Sequence, residues 1–174
     1  AFFQQLSGED DFGDILLKKN GGDAIVKGFT VEARFSLNQK VNLQSALTLQ
    51  SSSYLDPISY SEFLSKKKEF LKTPNSYGYS TLSYRYNPNL IFNTSFLYTG
   101  KMTLLHVGGA PEQENDDFKV SQPFKTIDIK TTYIQNIKKI EVDLEYSIGV
   151  KNITNDYQND FDTLKNRDSN YVYG

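Results

Sequence analysis

Ile140–Val150 reads IEVDLEYSIGV. Ile140, Val142, Leu144, Tyr146, Ile148 and Val150 alternate without a break with Glu141, Asp143, Glu145, Ser147 and Gly149. Successive side chains of a strand point to opposite faces, so this stretch has one apolar face and one face carrying carboxylates. The first face wants hydrocarbon or a core, and the second wants water. Two architectures satisfy both demands: a half-exposed soluble sheet, or a wall between lipid and a watery lumen.

The same period recurs upstream. Phe29, Val31, Ala33, Phe35 and Leu37 alternate with Thr30, Glu32, Arg34 and Ser36, and the polar triplet Asn38-Gln39-Lys40 predicts a turn. Val41, Leu43, Leu47 and Leu49 then alternate with Asn42, Gln44, Thr48 and Gln50. Strands are predicted over Tyr77–Tyr86 and Leu90–Met102, joined by Asn87-Pro88-Asn89. Ile127, Ile129 and Tyr133 alternate with Asp128, Lys130 and Thr132, and a short turn at Asn136–Lys139 leads into the opening stretch. Near the start, Ala1–Leu6 reads as the end of a strand and the acidic Ser7–Asp14 as a loop. An extended segment is expected from Ile15, interrupted by NGGD at Asn20–Asp23.

Short turns near Gln39, Pro88 and Ile137 thus alternate with long connections near Lys67, Glu112 and Asp160. In the first of these, SEFLSKKKEFLK places Phe63, Leu64, Phe70 and Leu71 at helical spacing and predicts a short amphipathic helix. Strict alternation of tight and long connections, with strands of about 10 to 14 residues, favours an up-and-down membrane barrel over a sandwich.

Composition narrows the classes. The 174 residues suffice for one domain, and aromatics reach 14% as twelve Tyr and twelve Phe without Trp. Such a load suits a barrel wall with aromatic girdles or a secreted sandwich. Cys is absent, so neither disulfides nor thiolate metal sites are encoded. A net charge of −2 gives no reason to propose nucleic-acid binding. No apolar run reaches about 18 residues, which excludes transmembrane helices but not transmembrane strands.

Three stretches carry a family resemblance: NGGDAIVKGFTVEAR at Asn20–Arg34, GVKNITNDYQ at Gly149–Gln158, and TPNSYGYSTLSY with YTGKMTLLH at Thr73–Tyr84 and Tyr98–His106. In order and spacing the chain resembles the C-terminal part of the β-barrel of TonB-dependent outer-membrane receptors, those of the Bacteroidota in particular. The resemblance implies an all-β fold: an antiparallel up-and-down transmembrane segment, residues 1–174, of a larger barrel of about 22 strands. It implies that the plug domain, the TonB box and the closing strand lie outside this sequence. The chain is then one arc of a wall.

The implied function is active transport. The receptor binds a scarce nutrient of the ferric siderophore, haem or cobalamin class at its extracellular loops and imports it with energy from the TonB complex acting through the plug. The implied setting is the Gram-negative outer membrane, with its lipid, the nutrient and a surface lipoprotein as partners. Loop aromatics Tyr54, Tyr60, Phe63, Tyr157 and Phe161, together with His106, are the expected ligand contacts. Glu32, Arg34, Glu141, Asp143 and Glu145 are expected to face the lumen.

Each of these readings has a plainer rival. The carboxylates of Glu141, Asp143 and Glu145 read as a solvated face before they read as a cation path. His106 is the sole histidine, and one imidazole makes no metal site. EQENDD and Asp156–Asp168 are rich in oxygen ligands but lack the register of a calcium loop. Lys66–Lys68 reads as part of a solvent-facing loop helix before it reads as a contact to lipopolysaccharide phosphates. Asn152-Ile153-Thr154 fits a glycosylation sequon that an outer-membrane setting makes irrelevant. No nucleophile–base pair, phosphate loop or metal spacing emerges, so no enzyme, cofactor or metal is expected. Two other architectures compete: a small complete outer-membrane barrel with a binding or structural role, and a soluble secreted β-sandwich that binds carbohydrate.

Overall fold

The computed structural model describes residues 3–10, 13–20, 22–106, 108–109 and 113–158. Among these the chain is all-β and antiparallel, with no helix. Six long strands form a meander: β3 (Ala24–Ser36), β4 (Val41–Ile58), β6 (Ser76–Asn87), β7 (Leu90–Thr99), β10 (Phe124–Ile137) and β11 (Val142–Val150). Their order across the sheet is β11-β10-β7-β6-β4-β3, and the short β5 (Lys67–Glu69) pairs with the far end of β4. Two hairpins stand as separate sheets, β1–β2 (Phe3–Asp10 and Gly13–Asn20) and β8–β9 (Thr103–His106 and Asp117–Val120).

The register joins the alternating patterns into two continuous faces. Phe29, Val31 and Phe35 lie opposite Leu49, Leu47 and Leu43, and Leu43 in turn lies opposite Leu82. Tyr84 meets Phe92, Phe96 meets Ile127, Tyr133 meets Tyr146, and Ile129 meets Val150. Residues directly opposite share a face, so these side chains form one apolar surface. On the reverse face Thr30 meets Thr48, Thr81 meets Gln44 and Ser95, and Thr132 meets Ser147. Hydroxyl pairs link the strands there, with 2.8 Å between the Thr30 and Thr48 oxygens and 3.0 Å between those of Thr132 and Ser147.

Among the described residues no second sheet or helix packs over the apolar face. Phe29, Val31, Phe35 and Tyr146 are each more than half exposed, and Ile148 is 77% exposed. The only buried apolar side chains among the described residues are Met102, Leu104 and Phe124, and they gather at the base of the β8–β9 hairpin, Phe124 as the first residue of β10. No described helix is long and apolar enough to cross a membrane.

The two ends of the sheet differ. At one end the turns are short and closed by asparagine. Asn38 Oδ1 accepts from the amides of Lys40 (2.8 Å) and Val41 (3.0 Å). Asn87 Oδ1 does the same for Asn89 and Leu90, both at 2.9 Å. Such Asx caps replace the backbone partners that a chain reversal removes. The third turn is closed by Ile140 N to Ile137 O at 3.1 Å, and Glu141 takes the left-handed conformation at φ 52°. Ile140 and Glu141 therefore belong to this turn, and the last strand begins at Val142.

The long connections gather at the other end, where two expectations are corrected. SEFLSKKKEFLK forms no helix: β4 continues to Ile58, and Lys67–Glu69 pairs back onto it. Phe63, Leu64, Phe70 and Leu71 recur at a spacing of seven, which an extended chain around a turn also accommodates. Phe70 is held in that extended form by its amide bond to Ser52 O and by its ring contact with Tyr54. The acidic Ser7–Asp14 is not a plain loop either, because Ser7–Asp10 continues β1 and pairs with β2.

Candidate functional site

At the loop end, a ledge is built from the outer part of β4, from β5 and from the β8–β9 hairpin. Tyr54, on β4, holds its ring 4.4 Å from that of Phe70 at a 41° tilt. Tyr60, in the β4–β5 connection, donates its hydroxyl to the Glu69 carbonyl at 2.9 Å. It also meets Phe118 of β9 edge-on, with centroids 6.1 Å apart. Lys67 of β5 places its ammonium 4.2 Å from the Phe118 centroid, a cation–π contact. Burial, and next the neighbouring Tyr54, push the Tyr60 phenol up to about 12, so it stays a hydroxyl at neutral pH.

Asp116 clasps the hairpin to this ledge. One carboxylate oxygen accepts from Gly108 N at 2.7 Å and the other from the Ser61 hydroxyl. These two bonds, Ser61 first, hold its carboxyl below the usual range. Asp117 is also held low, chiefly by the hydrogen bond from Lys119 at 2.5 Å. At the base, Met102 N donates to Ser121 Oγ (3.0 Å) and Ser121 N returns a bond to Met102 O (2.9 Å). Lys72 N donates to Thr103 O at 2.8 Å, tying β8 to the preceding connection.

Stability of the clasp follows from the sign of the shift. A carboxyl whose folded value is depressed contributes above its unfolded value of about 3.9, and the contribution is lost as pH falls through the lower, folded value. Asp116→Ala is therefore expected to speed amide exchange at Gly108 and across β8–β9 at neutral pH, and to leave the β6–β7 amides unchanged. Exchange read residue by residue checks this. Equal protection in variant and parent would show that the clasp holds nothing.

The third connection folds back on β10. Asn152 N donates to Asp128 Oδ1 (2.8 Å), Ile153 N to Ile127 O (2.9 Å), and Asp156 Oδ2 accepts from Lys125 N (2.9 Å). Asn152 and Asn155 take left-handed conformations, at φ 46° and 52°, which Asn tolerates better than most residues. Gln158 lies almost fully buried, and its Oε1 has no hydrogen-bond partner among the described residues.

The six expected ligand residues separate. Tyr54 and Tyr60 come together on the ledge. Phe63 stands 80% exposed with its amide capped by Ser61 Oγ. His106 is buried at the end of β8 opposite Asp117. Tyr157 is 44% exposed on the third connection, and Phe161 lies outside the described residues. Phe118 is flagged by nothing in the sequence, and Lys67, Phe70 and Asp116 enter it only through Lys66–Lys68, the expected helix and EQENDD, not as neighbours of Tyr60. The alternation in Asp117–Val120 is too short to mark a strand, so nothing flags Phe118 as a partner for Tyr60.

Charged residues of the polar face are likewise divided. Arg34 donates to Glu32 Oε1 at 2.8 Å, and Gln44 Nε2 donates both to that oxygen (3.1 Å) and to the Tyr79 hydroxyl (2.8 Å). Asp143 and Glu145 share this face but sit on the edge strand β11, where Asp143 accepts from Asn136 Nδ2 at 2.6 Å. A shallow depression of about 350 Å³ lies near that edge, with Asn93, Ser95, Asp128, Lys130, Ser147 and Gly149 among its lining residues. Among the described residues no cluster of three His, Asp or Glu side chains stands close enough to hold a metal. The ledge offers ring faces, a cation and carbonyls, which is binding chemistry. No protein-family model matches the chain, and no curated protein or solved structure matches it.

Proposed function

We propose that this chain is a wall segment of an outer-membrane active-transport receptor that resembles the TonB-dependent receptors. The observation that carries the proposal is the single-layer sheet with an uncovered apolar face. Contiguous apolar surface of this extent calls for lipid or a partner. Strands such as β6, with 12 residues, span about 40 Å along their axis, or about 30 Å when tilted by roughly 40°. That height fits a hydrocarbon layer of about 30 Å. The hydroxyl-rich reverse face then borders an aqueous lumen, with Glu32, Arg34, Asp143 and Glu145 on it.

In this reading the tight turns face the periplasm and the ledge faces outward. Tyr54, Tyr60 and Phe118 contribute to the mouth that meets a nutrient, of the siderophore, haem or cobalamin class by family likeness. The role is binding and passage rather than catalysis. Energy comes from the TonB complex through a plug domain, and a surface lipoprotein is a candidate lid.

Detergent dependence tests the proposal. The chain is expected to hold its β-structure and resist protease only in detergent micelles or lipid vesicles. A monomeric, protease-resistant fold in plain buffer would sink it in favour of a soluble β-sandwich.

A further inference from the structure

We infer that the tight-turn end of the sheet is a binding surface for anionic phospholipid headgroups. This rests on the membrane reading above and adds which residues meet the headgroup layer.

The three tight turns form one rim. Arg85 N donates to Lys40 O at 2.8 Å, which joins the first turn to the end of β6. Ile134 N donates to Asn89 O (2.7 Å) and Asn89 Nδ2 to Ile134 O (2.6 Å), which joins the second turn to β10 just ahead of the third. Neighbouring turns are two strands apart, or about 10 Å. Lys40, Lys138 and Lys139 project from this rim, all exposed, and no ion pair among the described residues engages them. Glu141 is the carboxylate within the third turn, and the nearby Asp143 is already bonded to Asn136.

Aromatic and aliphatic groups complete the pattern. Just inside the rim, on the apolar face, Tyr84 stacks on Phe92 with centroids 6.3 Å apart, and Tyr133 on Tyr146 at 6.5 Å. Leu37 and Ile140, beside the lysines, are 67% and 62% exposed. Tyrosine rings favour the boundary between hydrocarbon and headgroups, and lysines reach past them to the phosphates. At the ledge end the Lys66–Lys68 run is partly engaged, with Lys67 over the Phe118 ring and Lys68 donating to Leu55 O, and Lys119 pairs with Asp117, so the more available cations stand at the turn end.

The test compares association of the full-length protein with phosphatidylcholine vesicles, with and without phosphatidylglycerol, at low and high salt. The parent is expected to prefer the anionic vesicles at low salt. A polybasic contact adds about fivefold per lysine, so Lys40→Gln/Lys138→Gln/Lys139→Gln should lose roughly a hundredfold of that preference. Lys66→Gln/Lys68→Gln at the opposite end should keep it, and circular dichroism should show equal β-structure in all three proteins. Equal association of the parent with both vesicles, or a preference retained by the triple variant, would overturn the headgroup surface and leave the membrane reading standing. Failure of the parent to associate with either vesicle would overturn both.

Discussion

Leu47→Arg is expected to lower stability in a bilayer by about 2–4 kcal/mol, the cost of a cationic side chain on the lipid side of a strand at mid-depth. Leu47 lies on β4 opposite Val31 and Gly78, within the apolar face. It stands six residues from the strand's turn end, about 20 Å along the strand and about 15 Å in depth at a tilt of roughly 40°. Two further variants give the result its meaning. Ser83→Lys, on the polar face opposite Asn42 and Asn93, should fall within about 0.5 kcal/mol of the parent. Val150→Arg, at the loop end of β11, should cost about 0–1 kcal/mol because it nears the interface. Denaturant titration in lipid vesicles measures all three. A soluble core shows no such dependence on depth, so equal penalties at Leu47 and Val150 would refute the lipid assignment.

Gly78→Val is expected to cost about 2–3 kcal/mol, in the range of overpacked interiors. A Cβ at Gly78 would sit 2.5 Å from the Ala46 carbonyl oxygen and 3.3 Å from a methyl of Leu47. The first contact is with backbone, so relief requires β4 and β6 to part where they pair. Ala33→Val is the control: it adds the same type of side chain to the apolar face, on the edge strand β3, where β-branched residues are favoured. The same titration reads both. A Gly78→Val protein as stable as the parent would mean that β4 and β6 do not approach this closely.

Much of the sheet is legible in the sequence because period-two alternation is both the signal and the cause. The patterns at Phe29–Leu37, Val41–Gln50 and Ile140–Val150 place their strand residues on the right faces, although Leu37, Ile140 and Glu141 fall in turns, and Asn38 and Asn87 announce the turns that they cap. The loop end is harder to read. The β8–β9 strands have four residues each, too few for a period to register. Lys67–Glu69 is a strand only because Ser53 and Ile58 offer it backbone partners. Tyr54 and Tyr60 are singled out as loop aromatics, but Tyr54 lies within β4, and Phe118 meets Tyr60 through pairings distant in sequence. Local pattern carries no information about such contacts.

The Met102–Ser121 bond pair has a consequence for the order of assembly. Along the sheet, each strand pairs with the next long strand in sequence, and β7 and β10 are the pair separated by the β8–β9 excursion. Closing that gap as a free chain would cost entropy that grows with the logarithm of its length. A β8–β9 hairpin formed first, and stapled at its base by Met102, Ser121 and the buried Leu104 and Phe124, brings Thr99 and Phe124 close before they pair. The long connection then behaves kinetically as a short one. The sheet can zip across it hairpin by hairpin, with the low effective contact order that speeds β-sheet formation.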